Sequence, residues 1–157
     1  MSFTIMLVII MAAGVLVDQL TKIIVATNMQ VGQSIPLISG VFQFTYVRNR
    51  GAAFGMLSEH RWIFMIISTI AIAAICVYLF RFSKDSKLMK VAMAIIASGG
   101  IGNMIDRIFL GYVVDMFDFC LIDFWVFNVA DSFVCVGAVL LIIGIIIGEK
   151  KNESKPK

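Results

Sequence analysis

Long uncharged apolar runs, broken by short polar stretches, dominate this chain. A bilayer hydrocarbon core about 30 Å thick needs roughly 20 apolar residues in a helix to cross it. Four segments fit, at about residues 2–26, 62–80, 89–108 and 124–148. The first carries no charge as far as Val17, then holds Asp18 and Lys22. The second is uncharged and bracketed by Arg61 and Arg81. The third is apolar from Val91 to about Ile105 before closing on Asp106 and Arg107, so it must draw on its flanks. In the fourth, Asp131 is the only charge. The pattern predicts a membrane all-α bundle of four transmembrane helices, forming one integral-membrane domain over residues 1–157.

The first run lacks a basic start and exceeds the 7–15 apolar residues of a secretory leader, so it reads as a retained helix. In the polar stretch 27–61, Gly32, Pro36 and Gly40 punctuate the chain, and Phe42-Gln43-Phe44-Thr45-Tyr46 alternates with period two. That alternation predicts a strand. Non-helical backbone cannot lie unsatisfied in lipid, so a small sheet on the membrane surface is expected. The small residues of Gly51-Ala52-Ala53-Phe54-Gly55 allow chain to pack closely on chain, and the Lys-rich tail after Gly148 reads as disordered.

Composition sharpens the picture. Hydrophobic residues make up 61% of the chain and charged residues 15%, with a mean hydropathy of +0.99. Soluble domains carry fewer apolar and more charged residues, so a soluble fold, a disordered chain and a nucleic-acid binder are all excluded. Eight of the thirteen Lys and Arg residues fall in the loop 81–90 and the tail 149–157. The positive-inside rule makes both segments cytoplasmic. Both termini then lie inside, and residues 27–61 and 109–123 face outward. Cys76, Cys120 and Cys135 form no C-x-x-C pair, so neither a disulfide framework nor a zinc site is implied.

The candidate chemistry lies in polar residues beside apolar helices. Asp18 and Lys22 share a helix face at i, i+4 spacing. Asn103, Asp106 and Arg107 form a second face, and Asn128 with Asp131 a third. All three converge on one side of the membrane. Asp18 with Lys22, or Asp106 with Arg107, is equally well read as a structural ion pair. The glycines of Ser98-Gly99-Gly100-Ile101-Gly102 suit close helix packing. They lack the preceding strand of a nucleotide loop. His60, the single histidine, sits beside Arg61 with no partner chemistry.

Asp115 and Asp131 have no basic residue at helical spacing. A carboxylate unpaired in apolar surroundings raises its pKa until it binds a proton. Two facing carboxyls share one proton, and the pair can then act as base on water and acid on a carbonyl. The chain holds no H-E-x-x-H, no suitable Ser-Lys pair, and no Cys-His pairing open to one histidine. Intramembrane carboxylates also make proton relays, so a small proton-coupled carrier remains an alternative, as does an assembly subunit held by ion pairs. The acids gather at one face rather than the midplane, and no inverted repeat appears.

Five blocks carry a resemblance: Asp18-Gln19-Leu20-Thr21-Lys22; Asn49-Arg50-Gly51-Ala52-Ala53-Phe54-Gly55; Gly99-Gly100-Ile101-Gly102-Asn103-Met104-Ile105-Asp106-Arg107; Gly111-Tyr112-Val113-Val114-Asp115; and Phe127-Asn128-Val129-Ala130-Asp131-Ser132. In that order, on four apolar spans, they resemble the lipoprotein signal peptidases, the bacterial signal peptidase II family. The resemblance implies an aspartic endopeptidase of the bacterial cytoplasmic membrane. It would need no cofactor or metal and would cut diacylglyceryl-modified prolipoproteins just before the lipidated cysteine. It makes Asp115 and Asp131 the catalytic pair. Asn49, Asn103, Arg107 and Asn128 would line the substrate site, supported by Asp18, Lys22 and Asp106. It further implies a small extracytoplasmic β-sheet, a mobile extracytoplasmic loop or helix over the site, and inhibition by globomycin-like cyclic peptides. The polar runs are compatible with a monomer. Roles in the stretch 118–123, including Cys120, stay open.

Overall fold

The computed structural model describes residues 2–51, 61–82, 86–122 and 124–153. Helix α1 covers Phe3–Asn28, and strands β1 (Ser34–Ile38) and β2 (Phe42–Asn49) follow it. Helix α2 runs Arg61–Val77 and widens into a π-helical turn over Tyr78–Phe82. Helix α3 spans Lys87–Phe109, strand β3 Val113–Asp118 and helix α4 Val129–Glu153. Four helices and a small antiparallel sheet are thus present. The tail expected to be disordered after Gly148 instead continues α4 as far as Glu153, whereas Phe54, His60, Lys84, Asp123 and the tail's last four residues lie outside the described residues. So does the segment expected to cover the site.

Among the described residues, α1, α3 and residues Val129–Gly148 of α4 are long and apolar enough to cross a membrane. The apolar stretch Met65–Arg81 is shorter. Exposed Ile, Leu and Val side chains cover the bundle, such as Ile24 at 60%, Ile70 at 64% and Val139 at 56%. Asp18, Lys22, Asp106 and Asp115 are buried inside, beside apolar clusters, while the apolar exterior suits a lipid surrounding.

Helix α3 is the central element, packed against α1, α2 and α4. Ser86 caps its start by accepting from the Met89 N–H. The glycines of α3 expected to allow close packing do so. A Cβ on Gly102 would run into the Asp18 carboxylate and touch Ala130. At the other end Gly111 takes φ 79°, a left-handed conformation that glycine adopts without strain, and turns the chain into β3.

The sheet order is β1-β2-β3, antiparallel throughout. The alternating Phe42–Tyr46 stretch lies in β2, as its pattern predicts. Strand β3 has no clean alternation in Val113-Val114-Asp115-Met116-Phe117-Asp118, so its pattern predicts no strand; it pairs Asp115 with Val47 and Val113 with Asn49. Its Val114 and Met116 pack with Tyr46 against Val25 of α1.

Helix α4 begins at Val129, later than the start near residue 124 expected from hydropathy. The apolar residues before it are extended instead. Phe127 bridges to Phe117, and the two exchange N–H···O bonds of 2.7 and 3.0 Å. An apolar run alone does not distinguish helix from extended chain held by a sheet.

Candidate active site

The site forms where the sheet meets the ends of α1, α3 and α4. Asn128 caps α4: its Oδ1 accepts from the Asp131 N–H at 3.0 Å, and Asp131 Oδ2 accepts from the Asn128 N–H at 3.2 Å. This reciprocal pattern satisfies two of the free donors at a helix start. It also fixes Asp131 in the first turn, where the helix dipole favours a negative charge.

Asp115 reaches the same place from β3. Its Oδ1 accepts from Asn128 Nδ2 at 2.6 Å, and its Oδ2 from Asn49 Nδ2 at 2.9 Å. Asn49 is held in turn by the Gly51 N–H, which donates to its Oδ1 at 3.0 Å. From α3, Asn103 Nδ2 donates to Asp131 Oδ1 at 2.7 Å, and Asn128 Nδ2 donates also to Asn103 Oδ1 at 3.1 Å. Asp115, Asp131, Asn49, Asn103 and Asn128 therefore form one connected cluster drawn from four elements.

Asp115 is 2% exposed. Burial pushes its carboxyl up to about 7; the Asn49 hydrogen bond opposes this, and the negative charge of Asp131 adds to it. A carboxyl in that range holds or releases a proton near neutral pH, as acid–base chemistry requires.

Arg107 is less tightly built in. Its Nη1 donates to the Asn103 carbonyl at 3.3 Å, and the side chain is half-buried, within electrostatic reach of Asp131 and Asp115. It does not pair with Asp106. That carboxylate meets Lys22 Nζ at 3.2 Å and accepts from Gln19 Nε2 at 3.0 Å and from the Val114 N–H at 3.0 Å. Asp18 pairs with Lys22 at 2.9 Å, the i, i+4 contact expected, and its Oδ1 accepts from the Ala130 N–H at 2.9 Å.

Sequence reasoning passed over Gln19, whose amide ties Asp106 to the Gly102 carbonyl. Its place in an otherwise apolar helix, beside Asp18, was the available signal. Cys120 is exposed, and its Sγ lies 3.9 Å from the Asp118 carbonyl. Asp118 Oδ2 accepts from Gln43 and Thr45, both at 2.7 Å, and braces the sheet. Among the described residues, no cluster of three or more His, Cys, Asp or Glu residues could hold a metal ion.

The whole chain has close relatives. Residues 10–147 match the family model for signal peptidase (SPase) II. A lipoprotein signal peptidase of Halothermothrix orenii is 42% identical over 149 residues, covering 94% of this chain and 100% of that protein. One from Clostridioides difficile is 44% identical over 147 residues, covering 94% and 97%. A solved bacterial membrane enzyme superposes with a TM-score of 0.87 at 35% identity, covering 97% of this chain and 93% of that one. A second gives a TM-score of 0.81 at 37% identity, covering 89% and 92%. Sequence and fold agree over nearly the full length: this chain, an integral membrane protein, belongs to the signal peptidase II family.

Proposed function

We propose that this membrane protease is an aspartic endopeptidase that removes the signal peptide of lipid-modified prolipoproteins, with Asp115 and Asp131 as its catalytic pair. The observation that carries this reading is the shared Asn128 side chain, which donates to Asp115 while its Oδ1 anchors the Asp131 N–H. Two carboxyls from different elements are held around one amide, and one of them holds its proton near neutral pH.

Asp115 keeps the proton and hydrogen-bonds the scissile carbonyl oxygen. Asp131, with its oxygens accepting from Asn103 and the Asn128 N–H, acts as the base. It takes a proton from water as the water oxygen bonds to the carbonyl carbon, and Asp115 gives its proton to the carbonyl oxygen. The resulting gem-diol collapses: a proton passes from Asp131 to the leaving nitrogen, the carbon–nitrogen bond breaks, and a diol proton returns to Asp115. The new amine is the lipid-bearing cysteine at the start of the mature lipoprotein. Arg107 and Asn49 face the same cluster and hold the extended peptide by its carbonyls. A substrate anchored by acyl chains arrives along the membrane plane, which suits a site at the helix ends beside the sheet.

The test uses purified enzyme with a lipidated prolipoprotein peptide. Asp115→Asn and Asp131→Asn each lower cleavage by about 10³-fold or more, and the double variant is hardly slower, because groups acting as one unit are not additive. The wild-type rate against pH is bell-shaped, with its two limbs belonging to the pair. A single Asn variant that still cuts near the wild-type rate removes the dyad.

The Lys and Arg bias supports an extracytoplasmic sheet, in a bacterial cytoplasmic membrane, with both termini inside. A reporter fused after Lys157 is then active only in the cytoplasm. Activity outside the cell reverses this topology.

A further inference from the structure

Asp115 and Asp131 sit on different elements, and each is preceded by a residue whose backbone N–H is held by another carboxylate. The Val114 N–H donates to Asp106 Oδ2, and the Ala130 N–H donates to Asp18 Oδ1. These two bracing carboxylates come from different helices, and among the described residues neither is hydrogen-bonded to the side chain of Asp115 or Asp131. Lys22 joins them. Its ammonium meets Asp18 Oδ2 at 2.9 Å, Asp106 Oδ2 at 3.2 Å and Asn103 Oδ1 at 2.8 Å.

An ammonium has three protons and no lone pair, so these three acceptors use all of its donors. One consequence is orientational. Only the oxygen of the Asn103 amide can face a cation, so Nδ2 must point the other way, at Asp131 Oδ1. The same oxygen then receives Asn128 Nδ2, whose second proton goes to Asp115. Lys22 is 2% exposed, so water supplies no substitute donor.

The geometry points to Lys22 as a positioning residue for the reaction: through Asp18, Asp106 and Asn103 it fixes the spacing and the amide contacts of both catalytic carboxyls and supplies a buried positive charge behind them. This rests on the catalytic reading above and goes beyond it, because a structural ion pair between Asp18 and Lys22 requires no link to the catalytic carboxyls.

The charged groups around the pair are few. From α1 come Asp18 and Lys22, from α3 Asp106 and Arg107, and Asp115 and Asp131 lie on β3 and α4 themselves. Asn49 of β2 is neutral. Lys22 acts on the pair from behind, opposing the effect of burial on Asp115, whereas Arg107 is half-buried at its edge. Loss of the Lys22 charge leaves the buried cluster more negative, so the Asp115 carboxyl holds its proton more tightly and the rate profile moves to higher pH.

The test is Lys22→Gln in the full-length enzyme, which keeps one donor for Asn103 Oδ1 and removes the charge. A second variant, Lys22→Met with Asp18→Asn, removes one cation and one anion together and guards against misfolding from an unpaired buried carboxylate. Rates are expressed per folded molecule. The expected result is kcat lowered about 10- to 100-fold in both variants with KM within about threefold, and a profile moved up by about half a pH unit or more in Lys22→Gln, the variant that changes the net charge. A purely structural Lys22 lowers the yield of folded enzyme and leaves kcat and the profile of the surviving molecules unchanged, which overturns the assignment. Failure of both variants to fold overturns it too, by making Lys22 a scaffold residue alone. The catalytic reading fails separately, if wild-type enzyme lacks a bell-shaped profile or either dyad Asn variant still cuts.

Discussion

Away from the sheet, Leu7, Leu79, Met93 and Ala94 close on one another, with Phe3, Ile10 and Leu141 around them. At the sheet end, the interior between the same helices is taken by Asp18, Lys22, Asn103, Asp106, Asp115 and Asn128. The first region is held by contact alone. In lipid an apolar side chain gains little by leaving its surroundings, so van der Waals fit is what it contributes. The second is held by directional bonds, and any buried polar atom left without a partner there costs free energy. Among the described residues every buried side-chain nitrogen and oxygen has one. The contrast shows where the fold can yield. One end tolerates exchange of similar shapes, while the other fixes both atom type and orientation, as the proposed catalytic pair would require.

Arg107 is the sharpest way to break that comparison, because it belongs to the polar end yet is loosely held. Among the described residues its guanidinium makes one hydrogen bond, to a carbonyl, and it remains half-buried. Removing it leaves no carboxylate unpaired, since Asp106 keeps Lys22 and Gln19. Arg107→Ala should therefore insert and melt like wild type but lose about 10- to 100-fold in kcat/KM, if its forked donor holds peptide carbonyls as proposed. Wild-type kinetics in that variant make its substrate contact illusory.

Much of this polar end was legible in the sequence, and the limits have physical causes. Asp18 with Lys22, and Asn128 with Asp131, stand out because an apolar helix makes each polar residue costly and helical spacing places it on a known face. Asp115 stood out as an unpartnered carboxylate, but its strand did not. Strand β3 is buried on both faces over Val113–Met116, which removes the alternation by which strands are recognised. The late start of α4 was hidden for a related reason: Phe124-Trp125-Val126-Phe127 is as apolar as a span, and only its partner across the sheet makes it extended. The backbone bonds from Val114 and Ala130 to Asp106 and Asp18 join residues far apart in the chain, so spacing could reveal each carboxylate but not its target.

A smaller effect concerns stability against pH. The Asp115 carboxyl has its pKa raised from 3.8 to about 7, chiefly by burial. The folded protein thus binds that proton more tightly than the unfolded chain. The resulting stabilisation is fully present below about 3.8 and is lost as pH rises through about 7. Thermal melts of the wild type should fall between pH 5 and 8 by more than those of Asp115→Asn, whose side chain does not titrate. The substitution has its own cost, because an Asn nitrogen there must face Asn49 or Asn128, both donors. It is therefore the slope with pH that decides. Equal slopes leave Asp115 without a perturbed proton.

The smallest effect should come from the apolar end, and it completes the comparison. Met93 is 7% exposed and packs with Leu7, Leu79 and Ala94. Met93→Leu keeps the volume and removes only a flexible thioether, a change that usually costs less than about 1.5 kcal/mol. No polar atom loses a partner, and the substitution lies on the α3 turns leading away from Asn103. Cleavage of the lipidated peptide should stay within about twofold, with a melting temperature within a few degrees of wild type. If Met93→Leu instead cuts the rate tenfold at an unchanged melting temperature, the two ends are coupled through α3. The directional order of the carboxylate cluster would then depend on how the apolar half packs, and the division drawn between them would fail.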